Sequence, residues 1–209
     1  MSTSEPALDA EELMHLALRA MDAEKSEDAI TYLKRALVLA PNDGRLHFLL
    51  GAIHAEIGLD ERAIAELGRA AQLAPELHTA HFQLGTLLLK RGDVERAKEA
   101  WRPLDMLDRN HPLHLFKSAL MRLADGDYAQ CIAELKQGIA RNDENEALNA
   151  EMREVLLRTE ALMAAEAEAA PATAPLAPQA TSAAAPKRKE LDSHHVLLAG
   201  YEQPTEPKR

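Results

Sequence analysis

Residues 44–75 read GRLHFLLGAIHAEIGLDERAIAELGRAAQLAP, and most of their landmarks recur 34 residues away. Leu46, Leu49, Leu50 and Ile53 fall at i, i+3, i+4 and i+7, with Ile57 four further on, which is the spacing of one helical face. Ala63, Ile64, Leu67, Ala70 and Ala71 repeat that spacing beyond Gly58, so the stretch reads as two helices joined at a glycine. Pro75 closes the second helix, since proline cannot continue one. Pro41 stands 34 residues before it, at the end of a similar run.

The same interval runs outward in both directions. It links Ala17, Gly51, Gly85 and Ala119, and it links Ala29, Ala63, Ala97 and Cys131. It also links Gly58, Gly92 and Gly126, and it links Phe48, Phe82 and Phe116. Two antiparallel helices approach closely only where one residue at each crossing lacks bulk, which accounts for the small-residue series. The turn glycines supply φ > 0 where a helix ends. Helix pairs are therefore expected over roughly 10–40, 44–73, 78–108 and 112–141. Aromatic residues make up only 3% of the chain. An Ala- and Leu-built core of that kind favours close-packed helices over a sheet.

A 34-residue helix–turn–helix with these landmarks resembles the tetratricopeptide repeat (TPR) family. The second unit is the nearest match, through Leu50-Gly51, Gly58, Ala63, Leu67, Ala70 and Pro75. The third matches at Leu84-Gly85, Gly92-Asp93, Ala97 and Trp101, and departs at Leu104 and Arg109. The fourth carries Gly126-Asp127-Tyr128 but has Cys131 for alanine and Asp143 for proline, and the first has Glu24 for the turn glycine. The resemblance implies an all-α, right-handed superhelical solenoid of about four helix pairs, with a capping helix and then a disordered tail.

It also implies that the first helix of each pair lines a concave groove. The groove residues would be Met14, Leu18, Phe48, Ala52, Phe82, Thr86, Leu89, Lys90, Phe116 and Leu120, with Met21, Ala55 and Leu123 in the same series and Glu56 at the edge. Two readings of the Phe series stand side by side: rings packed between neighbouring units, or anchors for a bound polypeptide segment. The carboxylate clamp of chaperone-binding members is not expected, because the corresponding positions are mostly Leu, Phe, Ala and Thr.

Around this array the chain divides by composition. Residues 1–9 read as a flexible N-terminus without a basic start or an apolar core, so no secretory signal is expected. The array is expected over 10–168. Its last part is helix-prone, with Leu148, Met152, Leu156 and Leu157 assigned to one face of a cap; an extra partner-binding helix is the alternative. Pro103 lies inside the third unit's second helix, where it should kink or end that helix. Residues 169–190 are Ala/Pro-rich and read as a disordered linker. Residues 191–209 form a short segment whose Val196, Leu197, Leu198 and Tyr201 could act as a linear motif.

A net charge of -10 argues against nucleic acid or an anionic membrane as the main partner. No run approaches a membrane span. The one cysteine, Cys131, allows no internal disulfide and reads as a packed thiol, which suits a cytoplasmic setting. The nine histidines show no metal-binding helix pair with a nearby glutamate, and no metal or cofactor is expected. No phosphate loop, nucleophile elbow or paired-carboxylate cleft is present, so a non-enzymatic scaffold or adaptor is expected. Its partner would be a protein or peptide segment; the oligomeric state is not fixed by the sequence. Two alternatives share the groove: a chaperone similar to type III secretion TPR chaperones, shielding an apolar client segment, and a groove regulated by the chain's own tail.

Overall fold

The structure, a computed structural model, describes residues 8–169. These residues are all-α, with no strand among them. They divide into two compact units at Asp108/Arg109. The first holds α1 (Ala10–Asp22), α2 (Ser26–Leu39), α3 (Gly44–Glu56), α4 (Asp60–Leu73), α5 (His78–Lys90) and α6 (Val94–Trp101), with a 3₁₀ segment over Arg102–Met106. The second holds α7 (Pro112–Ala124), α8 (Tyr128–Arg141) and α9 (Glu146–Ala169). The expected linker and tail lie outside the described residues. None of the described helices is long and apolar enough to cross a membrane.

The period survives folding without drift. First helices begin at Ala10, Gly44, His78 and Pro112, second helices at Ser26, Asp60, Val94 and Tyr128, each 34 residues apart. Every pair turns the same way. At the second turn the Leu59 amide donates to the His54 carbonyl (2.7 Å) and the Gly58 amide to that of Ala55 (3.1 Å). The amides of Lys25, Asp93 and Asp127 donate to the Ala20, Leu88 and Arg122 carbonyls and repeat the first of these closures. This Schellman-type ending needs one residue in the left-handed region. Gly58, Gly92 and Gly126 take φ of 75°, 79° and 78°, and Glu24 takes 57° in the same place. The missing glycine of the first turn therefore leaves the geometry intact and puts a glutamate where a Cβ is disfavoured.

Packing within pairs follows the small-residue series. Ala17, Ala29, Ala63, Ala97, Ala119 and Cys131 are fully buried, and Leu33, Leu67, Trp101 and Leu135 fill the space opposite them. A Cβ on Gly51 would stand 2.8 Å from Leu67 Cγ. At Gly85 the missing Cβ makes room for the Trp101 indole, whose Nε1 donates to the Phe82 carbonyl (2.9 Å) while its ring stacks on Phe82 with centroids 6.4 Å apart. Gly138 makes the same kind of room for the Phe116 ring in the second unit.

Two expectations are refined. Helix α6 stops at Trp101, eight residues long, and continues as 3₁₀, with the Arg102 amide bonded to the Glu99 carbonyl. Pro103 has no amide to carry the α-helical ladder forward, and Leu104 is buried where the other units have a small residue. The cap, α9, packs on α8 through buried Leu148, Asn149, Met152 and Thr159. Leu157 is corrected: at 66% exposure it faces away from α8. Successive helical residues are about 100° apart, so Thr159, not Leu157, continues the line through Met152 and Leu156.

Substitutions at the turns and crossings should separate backbone strain from steric conflict. Glu24→Gly is expected to raise unfolding stability by about 0.5–1 kcal/mol, and Gly58→Ala to lower it by about 1 kcal/mol, since nothing lies within 4 Å of its would-be Cβ. Gly85→Ala should cost about 2–3 kcal/mol through collision with Trp101. Urea denaturation of the three variants checks the order.

Candidate functional site

Each first helix of the first unit has two faces. On α1, Leu13, Ala17 and Ala20 are buried against α2, while Leu18 and Met21 are half-buried. On α3, Leu46, Leu50 and Ile53 are buried, while Phe48, Leu49, Ala52 and Ala55 are half-buried. On α5 the corresponding residues are Phe82, Thr86, Leu89 and Lys90. Phe82 (2% exposed) and Leu89 (4%) are buried, and Thr86 and Lys90 are half-buried. The Thr86 hydroxyl donates to the Phe82 carbonyl at 2.9 Å, so its polarity is already satisfied along the helix.

Of the sequence-derived groove residues in this unit, Leu18, Phe48, Ala52, Thr86 and Lys90 retain accessible surface. Met14 (7% exposed), Phe82 and Leu89 are core contributors. In the second unit Phe116 and Leu120 are buried as well, Phe116 against Gly138. Only Phe48 of the Phe series is accessible, and it packs on Ala63, Leu67 and Leu87. A buried ring offers a partner no surface, so on α1 and α3 the half-buried apolar residues Leu18, Met21, Phe48, Leu49, Ala52 and Ala55 make up the accessible wall, while the more exposed Val38, Leu39 and Met106 stand on other elements. The four tail residues Val196, Leu197, Leu198 and Tyr201 lie outside the described residues.

The wall is bounded by charge on two sides. Arg45 Nη2 meets Glu11 at 3.0 Å and Asp43 at 2.7 Å, tying α1 to α3. Asp43 also caps α3 through the Arg45 amide, and its carboxyl is held below the usual carboxylate range, foremost by the Arg45 side chain. On the other side stand Asp22 and Glu56, both exposed, at the C-terminal ends of α1 and α3. Asp22 was not singled out from the sequence, although it lies 34 residues before Glu56. In the second unit the period would also have flagged Leu157, which stands 34 after Leu123 and is exposed.

Elsewhere two histidines are tied to structure through ring nitrogens. His47 Nδ1 lies 2.7 Å from Glu66 and its Nε2 3.0 Å from the Pro41 carbonyl. His81 Nδ1 lies 3.1 Å from the Ala100 carbonyl. Among the described residues no group of three or more His, Cys, Asp or Glu is placed to hold a metal ion. A surface cleft of about 330 Å³ is lined by Glu61, Ile64, Leu88, Arg91, Asp93 and Arg96. Its charges are paired, Arg91 with Glu61 and Arg96 with Asp93, each at 3.2 Å. Cys131 is fully buried beside the Thr159 hydroxyl (3.8 Å), and burial pushes its thiol up to about 11.

A tetratricopeptide repeat family model matches residues 15–78. No curated protein sequence matches the chain. Among solved structures the chain is similar to a crystal structure of MamA, with 23% identity and a TM-score of 0.53, covering 65% of this chain and 79% of that one. It is also similar to MamA 41-end from Desulfovibrio magneticus RS-1, with 16% identity and a TM-score of 0.53 over 75% of this chain and 96% of that one. These likenesses establish the fold.

Two buried groups give checks on the packing. His54 is 4% exposed, and burial lowers its pKa, with Arg62 and Lys34 adding to the effect and Glu66 opposing it. Its unfolded form takes a proton near pH 6.5 that the folded form resists, so its stabilising contribution is complete above that pH and is lost as pH falls below it. Urea stability should therefore decline from pH 7.5 to 5.5 less steeply in His54→Leu than in the parent chain. The Cys131 thiol should resist an aromatic disulfide reagent at neutral pH in the folded protein and react fully once urea unfolds it.

Proposed function

We propose that this tetratricopeptide repeat protein is a non-enzymatic scaffold that holds a segment of a partner polypeptide against the wall of its first unit. The observation that carries the reading is the half-exposed apolar surface of Leu18, Met21, Phe48, Ala52 and Ala55, on helices whose opposite faces are fully packed. Apolar side chains of this kind favour burial by about 25 cal/mol per Å². A rigid pair of helices offers them without further ordering cost, so a partner segment gains from covering them. Phe48 and Leu18 would serve as anchors, and Ala52 and Ala55 leave room for the partner's own side chains.

Partner recognition of this type needs no cofactor, and a cytoplasmic setting, where a lone thiol stays reduced, is part of the proposal. Catalysis forms no part of it. Shielding of a client by a chaperone would use the same surface, but no separate observation favours it.

The test compares proteins captured from native extract by the full chain with those captured by Leu18→Gln/Ala52→Gln. Both positions are half-buried, so thermal stability should change little, and a melting curve verifies that. Selective loss of captured proteins is expected. An unchanged set would move the binding surface elsewhere.

A further inference from the structure

We infer that the first-unit wall selects a partner segment carrying Lys or Arg beside its apolar anchors, an inference that rests on the wall being the binding surface. Asp22 and Glu56 each follow a wall residue directly, Met21 and Ala55, and each is the last residue of its helix. The C-terminus of a helix already carries partial negative charge, so a carboxylate there is electrostatically unfavourable unless a cation joins it. Neither side chain has a hydrogen-bond or ion-pair partner among the described residues, whereas Glu11 and Asp43, on the opposite side of the wall, are committed to Arg45. Two uncommitted carboxylates therefore border an apolar floor along one side.

The third residue of that series is Lys90, on α5. The border thus runs acid, acid, base from α1 to α5. A bound segment would place its cations over α1 and α3 and its apolar side chains on Leu18, Phe48 and Ala52. The net charge of -10 draws the same class of partner by long-range attraction. A purely apolar or acidic segment would leave Asp22 and Glu56 desolvated or repelled.

Fluorescence anisotropy on the full chain tests this with two labelled peptides, LKAALKAALKAALKA and its counterpart with glutamate at every lysine. At about 50 mM salt the lysine peptide should bind about fivefold more tightly, a preference that shrinks as salt rises. In Asp22→Asn/Glu56→Gln the preference should fall by more than half, the remainder being the long-range attraction that the acidic chain still supplies. A preference that persists undiminished in that variant, or one that favours the glutamate peptide, overturns the inference. If Leu18→Gln/Ala52→Gln leaves the affinity for the lysine peptide unchanged, the wall itself is not the site and both readings fall. If that variant weakens both peptides while the carboxylate variant keeps the preference, only the charge selection falls. Tighter peptide binding in Lys187→Ala/Arg188→Ala/Lys189→Ala would identify the chain's own basic segment as the occupant and overturn assignment to a separate partner.

Discussion

The close approach of each helix to its partner is the constraint on which the rest depends. Bulk on one helix enters a gap left on the other: Leu67 against Gly51, Trp101 against Gly85, Phe116 against Gly138. A helical glycine costs about 1 kcal/mol relative to alanine, and a buried indole gains more than that through area and contacts. The trade explains how a chain with so few aromatic residues builds a dense interior. It also fixes which face of each first helix is left over. Once Leu13, Ala17 and Ala20 are turned toward α2, Leu18 and Met21 must point elsewhere, and the wall follows from the same crossing that stabilises the pair.

Helix positions were legible because they depend on local chemistry that recurs. The glycine turns, the prolines and the small residues each mark one event per repeat, and the helix starts repeat at the same 34-residue interval. Glu24 shows that the turn is dictated by the hairpin as a whole. A residue with no special liking for φ > 0 is carried into it by the packing on both sides. Pro103 was legible in effect, a broken helix, and its replacement by a 3₁₀ turn reflects the need to keep Leu104 inside.

Depth was harder to read than face. The series Met14, Phe48, Phe82 and Phe116 lies at one register, yet only Phe48 keeps accessible surface. What separates Phe48 from the other two rings is the space it meets. Phe82 is stacked on Trp101 and Phe116 enters the gap at Gly138, whereas the same places beside Phe48 hold Leu67 and Ala70. Periodicity assigns a direction to a side chain, whereas burial depends on the volume of neighbours brought from elsewhere in the chain. The same limit applies to α9, where Thr159 takes an interior place that an apolar count gives to Leu157.

The end of the packed array is encoded in the same series that builds it. Helix α9 begins at Glu146, 34 residues after α7, so it occupies the place of a fifth first helix. Continuing the series Ala17, Gly51, Gly85 and Ala119 by one period gives Arg153. A guanidinium at the crossing point leaves no gap for a second helix to enter. Its side chain is 48% exposed and bound to Glu146 at 2.6 Å, a pairing along its own helix, on the side where Leu157 also stands exposed. The opposite face still carries Leu148 and Met152 against α8. Among the described residues this helix thus presents a repeat-like surface to α8 and an exposed one away from it, the two-sided character that a capping helix has.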